Sequence, residues 1–421
     1  MVIQIYHEVM KSIEDQNYDS KSSNYSNNLS FRSEVYIFGI LFTSLALSIF
    51  FSSQKIGWPV WAFLTGNNDA FSDFAGDRFE LPNTYFHMTG PDGKPSPVYG
   101  VLAPGGVLIG KLYSLFLIPQ TLWVFQIVAL TSCILTVITI SGRRNYHFSI
   151  LILFSAYPFW FAYFRGNNDI WLFPLLGLAY LQFSKKNYNL FTLFIVSAAA
   201  IEPYNILFLV ALIPLKKYKY ILYSSIYLFI YLLSMAFVGE KNLGRYISLF
   251  EYTGKWYNES YVINNSGLLA NNSIWGLLKV VTFMFRPTNL TPESFIYHFY
   301  TIGTLLSVCV MTIYLARKKL QIEYFFAITS LEILFFAPTS ANYKLITFLL
   351  SFFIIIYKMN IDLFANKIFL ALSLALLLPK EFIWFKFTNE PLGATLGTVV
   401  NPILEIIMIF AILKINSRKV N

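Results

Sequence analysis

A chain of 421 residues is long enough for two or three soluble domains, but 56% of it is hydrophobic and only 13% charged, against roughly a quarter charged in soluble domains. The net charge of +9 comes from short basic groups between apolar runs, which suits membrane orientation and excludes a nucleic-acid-binding patch. With 42 Phe, 28 Tyr and runs apolar on every face at 36–51, 122–140, 221–237 and 346–357, the chain reads as an all-α polytopic integral membrane protein.

In chain order, residues 1–34 read as a polar cytoplasmic tail, unstructured where Ser and Asn dominate. No small-residue cleavage site follows the first apolar segment, so a cleavable signal peptide is not expected. Residues 35–421 read as one transmembrane domain of about ten spanning helices, at about 35–54, 121–140, 148–164, 168–184, 219–238, 296–315, 321–337, 342–358, 367–379 and 396–415. With the N-terminus in the cytoplasm, Arg143-Arg144, Lys185-Lys186, Arg317-Lys318-Lys319 and Arg418-Lys419 all fall on the cytoplasmic side. Both termini are then cytoplasmic, in a plasma membrane (the inner membrane of a Gram-negative cell). Residues 190–214 resist a single span, because they run between Lys185-Lys186 and Lys216-Lys217 with Glu202-Pro203 between. A re-entrant helical pair keeps both basic groups on one side. Residues 98–116 read as a surface helix, weakened as a span by Pro104-Gly105-Gly106. The external side receives long loops at 55–97 and 239–295 and short ones near 165–169, 338–344 and 379–392.

The external polar segments each abut a helix end, so a bundle could bring them to one cavity reached from the lipid. A lipid-borne sugar phosphate would need a carboxylate to take the attacking hydroxyl's proton, cations for the phosphate, and amides for sugar hydroxyls. Asp69, Asp73, Asp77, Arg78, Arg165, Asn167, Asn168, Asp169 and Lys344 have those chemistries.

The order of motifs resembles the GT-C superfamily of lipid-linked-sugar glycosyltransferases, closest to the polyprenyl-phosphate-mannose-dependent transferases of glycosyltransferase family 87. The motifs are Ser72-Asp73-Phe74 in the first loop, Ser96-Pro97-Val98-Tyr99 opening a helix, and the turn Arg165-Gly166-Asn167-Asn168-Asp169. Ser197 to Pro203 follows, then Asn271-Asn272-Ser273, then Ala337-Pro338-Thr339-Ser340. The likeness spans roughly residues 35–350. Two departures stand out: Glu202 where a basic residue is expected before the proline, and Asn342-Tyr343-Lys344 where aromatic and His residues are common.

The resemblance implies a GT-C-like bundle that transfers a sugar, mannose in that family, from a polyprenyl-phosphate donor to a glycan or glycolipid acceptor on the external face. It also implies Asp73 as the general base of an inverting displacement. Asp77 is the alternative base. Substrate contacts are expected from Asp77, Arg78, Tyr99, Arg165, Asn167, Asn168, Asp169, Glu202, Asn272 and Lys344.

Each has a plainer reading. Asp73 could be a solvated loop acid, Arg165 and Lys344 interfacial anchors, Asp169 the cap of a helix starting at Ile170, and Glu202 the partner of a nearby polar group. His87, His147 and His298 lack metal-ligand spacing, so no metal or cofactor is expected. Cys133 and Cys309 lie in apolar runs. Asn258-Glu259-Ser260 and Asn271-Asn272-Ser273 match glycosylation acceptors, without weight in so Asn-rich a chain. The competing functions are a lipid-linked oligosaccharide polymerase and a transporter or flippase. A transporter should show paired broken helices, and Glu202-Pro203 has no counterpart.

Overall fold

The structure is a computed structural model that describes residues 31–53, 121–142, 146–165, 167–238, 251, 254–255, 257–263, 268, 271–285, 294–317, 320–340, 342–359, 367–380, 384–386 and 393–420. The expected surface helix at 98–116 and first loop at 55–97 lie outside these residues, as do residues 1–30 of the tail.

Among the described residues the chain is almost wholly helical. The α-helices are α1 (Phe31–Ser53), α2 (Thr121–Ser141), α3 (Tyr146–Ser155), α4 (Tyr157–Arg165), α5 (Leu172–Ser184), α6 (Tyr188–Ile201) and α7 (Tyr218–Val238). They continue as α8 (Ile274–Phe285), α9 (Phe295–Arg317), α10 (Ile322–Phe336), α11 (Leu345–Lys358), α12 (Lys367–Leu377) and α13 (Leu396–Val420). The ten segments expected to span the membrane are largely helical where described, the one at 148–164 in two pieces. Among the described residues, α9 and residues Leu396–Ile415 of α13 are long and apolar enough to cross a membrane, with mean hydropathy 1.8 and 2.2. The α3–α4 pair passes the same test as a broken unit bent by 65°. These apolar helices make the protein membrane-embedded.

The centre of the fold is α11. Every residue from Leu345 to Ile356 is buried, and α2, α5, α10 and α12 pack around it. A helix apolar on every face has no side to give to water, so neighbours or lipid must cover all of it. α10 is likewise buried from Tyr324 to Leu334. α9 is the opposite case: Phe295, Phe299, Leu305, Leu306 and Val310 are all exposed apolar side chains, as a peripheral helix in lipid requires. α2 and α5 approach closely because position 177 is glycine; a Cβ there would collide with Thr136 Cγ2.

Several expectations change. The segment at 148–164 is two helices, because Pro158 has no N–H to offer the carbonyl of Phe154 and its ring crowds that turn. The indole of Trp160 donates to the Phe154 carbonyl instead, so the break leaves it satisfied. The long loop at 239–295 contains α8 and a π-helix at Asn258–Ile263, and α8 buries Trp275 and Lys279 completely. The fold is not purely helical, since β1 (Trp384–Lys386) pairs antiparallel with β2 (Gly393–Thr395), Phe385 opposite Ala394. α1 begins at Phe31, inside the stretch expected to be unstructured.

Residues 188–212 form a helical hairpin. α6 ends at Ile201, Glu202 is extended (φ −136°, ψ 107°), and a 3-10 helix runs back from Pro203 to Leu212. Pro203 forces the reversal, since it cannot donate to the α-helical ladder. The Asn205 amide fastens the tip, donating to the carbonyls of Glu202 (2.9 Å) and Ala198 (3.4 Å). At the open end Lys217 Nζ lies 5.5 Å from the centroid of the Tyr188 ring, and Tyr188 meets Tyr220 at 5.8 Å. Lys216-Lys217 thus returns to the level of Lys185-Lys186.

Candidate functional site

Six helix ends converge at one pole of the helical assembly: the C-terminal ends of α4, α6 and α10 and the N-terminal ends of α5, α11 and α13. Polar residues cluster there because a helix terminus carries backbone groups without intrahelical partners.

Asn167 builds the turn between α4 and α5. Its N–H donates to the Ala162 carbonyl (3.1 Å), and its Oδ1 accepts from the Asp169 N–H at 2.8 Å, capping a 3-10 turn at Asn168–Trp171. The cap is therefore Asn167, not Asp169; a carboxylate one residue inside the turn is past the reach of the capping geometry. Asp169 is buried beside the turn. Asn168 is partly exposed.

Opposite it stands the 3-10 turn Asn342–Lys344, which feeds α11. Lys344 Nζ donates to Glu202 Oε1 at 2.7 Å, with 7% and 19% of the two side chains exposed. The Tyr204 ring lies with its centroid 5.6 Å from Lys344 Nζ, within cation–π range. Tyr257, just ahead of the π-helix, shares a hydrogen bond with Thr339. Burial pushes the Tyr257 hydroxyl above its ordinary pKa; the Lys344 charge and the Thr339 bond oppose this, while the charges of Glu202 and Asp169 add to it. One phenol therefore senses all three charges of the cluster, and it stays a neutral donor and acceptor through physiological pH.

Beneath this layer lies a second set of contacts. Asn271 Oδ1 accepts from the backbone N–H groups of Ser273 and Ser340 (both 3.0 Å) and from Ser273 Oγ (2.8 Å). Its Nδ2 donates to the Pro338 carbonyl at 2.9 Å. Asn401 Nδ2 donates to Asn272 Oδ1 at 2.6 Å, and Asn272 Nδ2 donates to Asn342 Oδ1 at 2.8 Å. All of these asparagines are buried. The Asn271-Asn272-Ser273 motif therefore rivets the end of α10 to the start of α11 and to α13. Asn272 spends its amide inside the protein, and Asn271 is too enclosed to be a glycosylation acceptor.

Of the residues singled out from sequence, Asn167, Asn168, Asp169, Glu202, Asn272 and Lys344 gather at this pole. Arg165 ends α4 beside them, its side chain outside the described residues. Asp73, Asp77, Arg78 and Tyr99 lie outside the described residues altogether. Glu202 and Lys344 resolve each other's plainer readings: the acid is paired with a nearby polar group, and the lysine is held inward rather than anchored at an interface.

Sequence reasoning missed Tyr204, Tyr257 and Asn401. The tyrosines carried no signal in a chain with 28 of them. Asn401-Pro402 inside an apolar run was a readable signal, as was Glu405 one turn later. Both Glu405 carboxylate oxygens are buried without a hydrogen-bond partner among the described residues, and the Lys380 charge bears on them. No family model matches the chain, nor does any curated protein or solved structure.

Proposed function

We propose that the protein is an integral membrane glycosyltransferase of the GT-C kind, moving a sugar such as mannose from a polyprenyl-phosphate carrier to a glycan or glycolipid on the external face. In this reading the ten helical segments span the membrane, the α6 hairpin re-enters from the cytoplasmic side, and the polar pole faces outward. Lys344 holds the carrier phosphate, aided by the positive end of α11. Asn168 and the Tyr257 hydroxyl read sugar hydroxyls. An acceptor hydroxyl gives its proton to Asp73 while its oxygen attacks the anomeric carbon from the side opposite the leaving group. The bond from that carbon to the phosphate oxygen breaks, and polyprenyl phosphate departs with the electron pair.

One observation carries the reading. Segments far apart in sequence and named by the ordered motifs (167–169, 202, 271–273, 338–340 and 344) meet at a single pole, with a buried lysine at its centre. Lys344 is the cation such a site offers an anionic headgroup, and the amides and hydroxyls around it suit a sugar. The test is transfer from polyprenyl-phosphate-mannose to candidate acceptors by purified protein. Transfer should be lost in Asp73→Asn. Full activity in that variant removes Asp73 as base, and movement of lipid-linked glycan across liposomes with no new glycosidic bond replaces the enzyme with a carrier.

A further inference from the structure

Lys344 sits at the N-terminal end of α11, where the helix dipole adds positive potential to its own charge. Its ammonium is nearly enclosed, so it needs an anion at hand whether or not a ligand is bound. The anion present comes from 142 residues away, at the tip of the α6 hairpin. Of the two partners Glu202 is the more exposed, at 19% against 7%. Glu202 is one extended residue between α6 and a 3-10 helix of ten residues, a length at which 3-10 geometry is uncommon and easily re-registered. Lys344, by contrast, is fixed to a turn braced by the Asn342–Asn272–Asn401 ladder. Charge balance then decides what happens on binding. With Glu202 in place, a phosphate at Lys344 would be a second anion at one ammonium, and like charges in a poorly solvated site repel strongly.

We propose that Glu202 is an exchangeable counter-ion: it holds Lys344 in the unliganded protein, yields it to the phosphate group of the incoming ligand, and in leaving frees the tip of the α6 hairpin. The proposal rests on the reading of Lys344 as the phosphate-binding cation. It also gives a reason for an acid at a position where the resembling enzymes carry a basic residue: it holds a buried lysine paired and aimed while the site is empty.

The experiment measures binding of a long-chain polyprenyl phosphate to protein in phosphatidylcholine nanodiscs, with inorganic phosphate run in parallel. Variants are Glu202→Gln, Lys344→Gln and both together. Glu202→Gln should bind about tenfold tighter than the native chain, the size expected for relieving one like-charge contact. Lys344→Gln should abolish binding in either background. Unchanged or weaker binding in Glu202→Gln, with dependence on Lys344 intact, overturns the exchange while leaving the phosphate site standing. Binding by neither the native chain nor Glu202→Gln overturns the phosphate site itself. An equal gain for inorganic phosphate, with nothing added by the polyprenyl chain, supports the exchange and assigns the anion to a soluble source.

Should Glu202→Gln fail to fold, hydrogen exchange of the native chain decides. Amides at 201–206 should exchange faster on addition of polyprenyl phosphate, and unchanged protection there overturns the proposal.

Discussion

Lys344 and Glu202 share a single hydrogen-bonded ion pair, so each is the other's cost when removed. Lys344→Gln strands a carboxylate that is only partly reached by solvent. The loss should be about 2–3 kcal/mol, below the full penalty for a wholly buried pair because Glu202 keeps some exposure. Thermal unfolding in detergent checks this, and the double variant with Glu202→Gln should recover part of the loss, giving a coupling of about 1–3 kcal/mol. Strict additivity would mean the pair contributes nothing. Asn272 is a harsher case. Asn272→Leu leaves Asn342 Oδ1 without its donor and Asn401 Nδ2 without its acceptor, both buried, for a loss of about 2–5 kcal/mol. Asn272→Asp keeps the acceptor for Asn401 but sets a buried carboxylate against Asn342 Oδ1, and should lose at least as much. A Leu variant as stable as the native chain would show that the ladder is not needed to hold α11 against α13. Neither pairing could be read from the sequence, where the partners stand 70 and 129 residues apart from Asn272.

The hairpin of α6 and the following 3-10 helix shows how one residue reverses an element. The apolar run on either side of Glu202-Pro203 is long enough for a span, but Pro203 ends α6 and the Asn205 amide closes the tip. Tyr188 then lies beside both Lys217 and Tyr220, so the two ends of the hairpin coincide. Cysteines introduced as Lys186→Cys and Lys216→Cys, in a Cys309→Ser background, should therefore react with an impermeant maleimide from the same side of sealed vesicles. Labelling from opposite sides would mean that residues 188–212 cross. The break at Pro158 follows the same logic, with the indole of Trp160 taking the place of the missing N–H, and it is a second broken element where the sequence was expected to hold one. Breaks of this kind are legible in sequence as prolines. The angle and the direction of return are not, because they depend on which neighbours satisfy the freed backbone groups.

At the scale of the molecule the helices sort by exposure. α11 and α10 are enclosed by protein, whereas α9 and α7 present apolar side chains outward along their length, Leu222 and Phe229 on α7 among them. The two cysteines sample these environments. Cys133 is buried on α2 and Cys309 is exposed on α9. A spin label should attach readily at Cys309 and show the oxygen accessibility of a lipid-facing site, while Cys133 should stay unreactive until the protein unfolds. A label at Cys309 with the accessibility of bulk water would place α9 outside the bilayer.

Sequence by itself determined that this is a helical membrane protein, because an apolar residue on every face of a helix leaves only lipid or other helices as surroundings. It also determined where the polar turns lie, since charges interrupting apolar runs have few places to go. Which helices are central and which peripheral was decided only in three dimensions: α11 and α9 are both apolar, and only packing distinguishes a covered face from an open one. The pole was decided there too. Lys344 and Glu202 each stand out in their own segments, and become a pair only because the hairpin returns its tip to the start of α11. A pairing between distant residues has no local energetic signature, so it is absent from the sequence pattern and present only once the chain has folded.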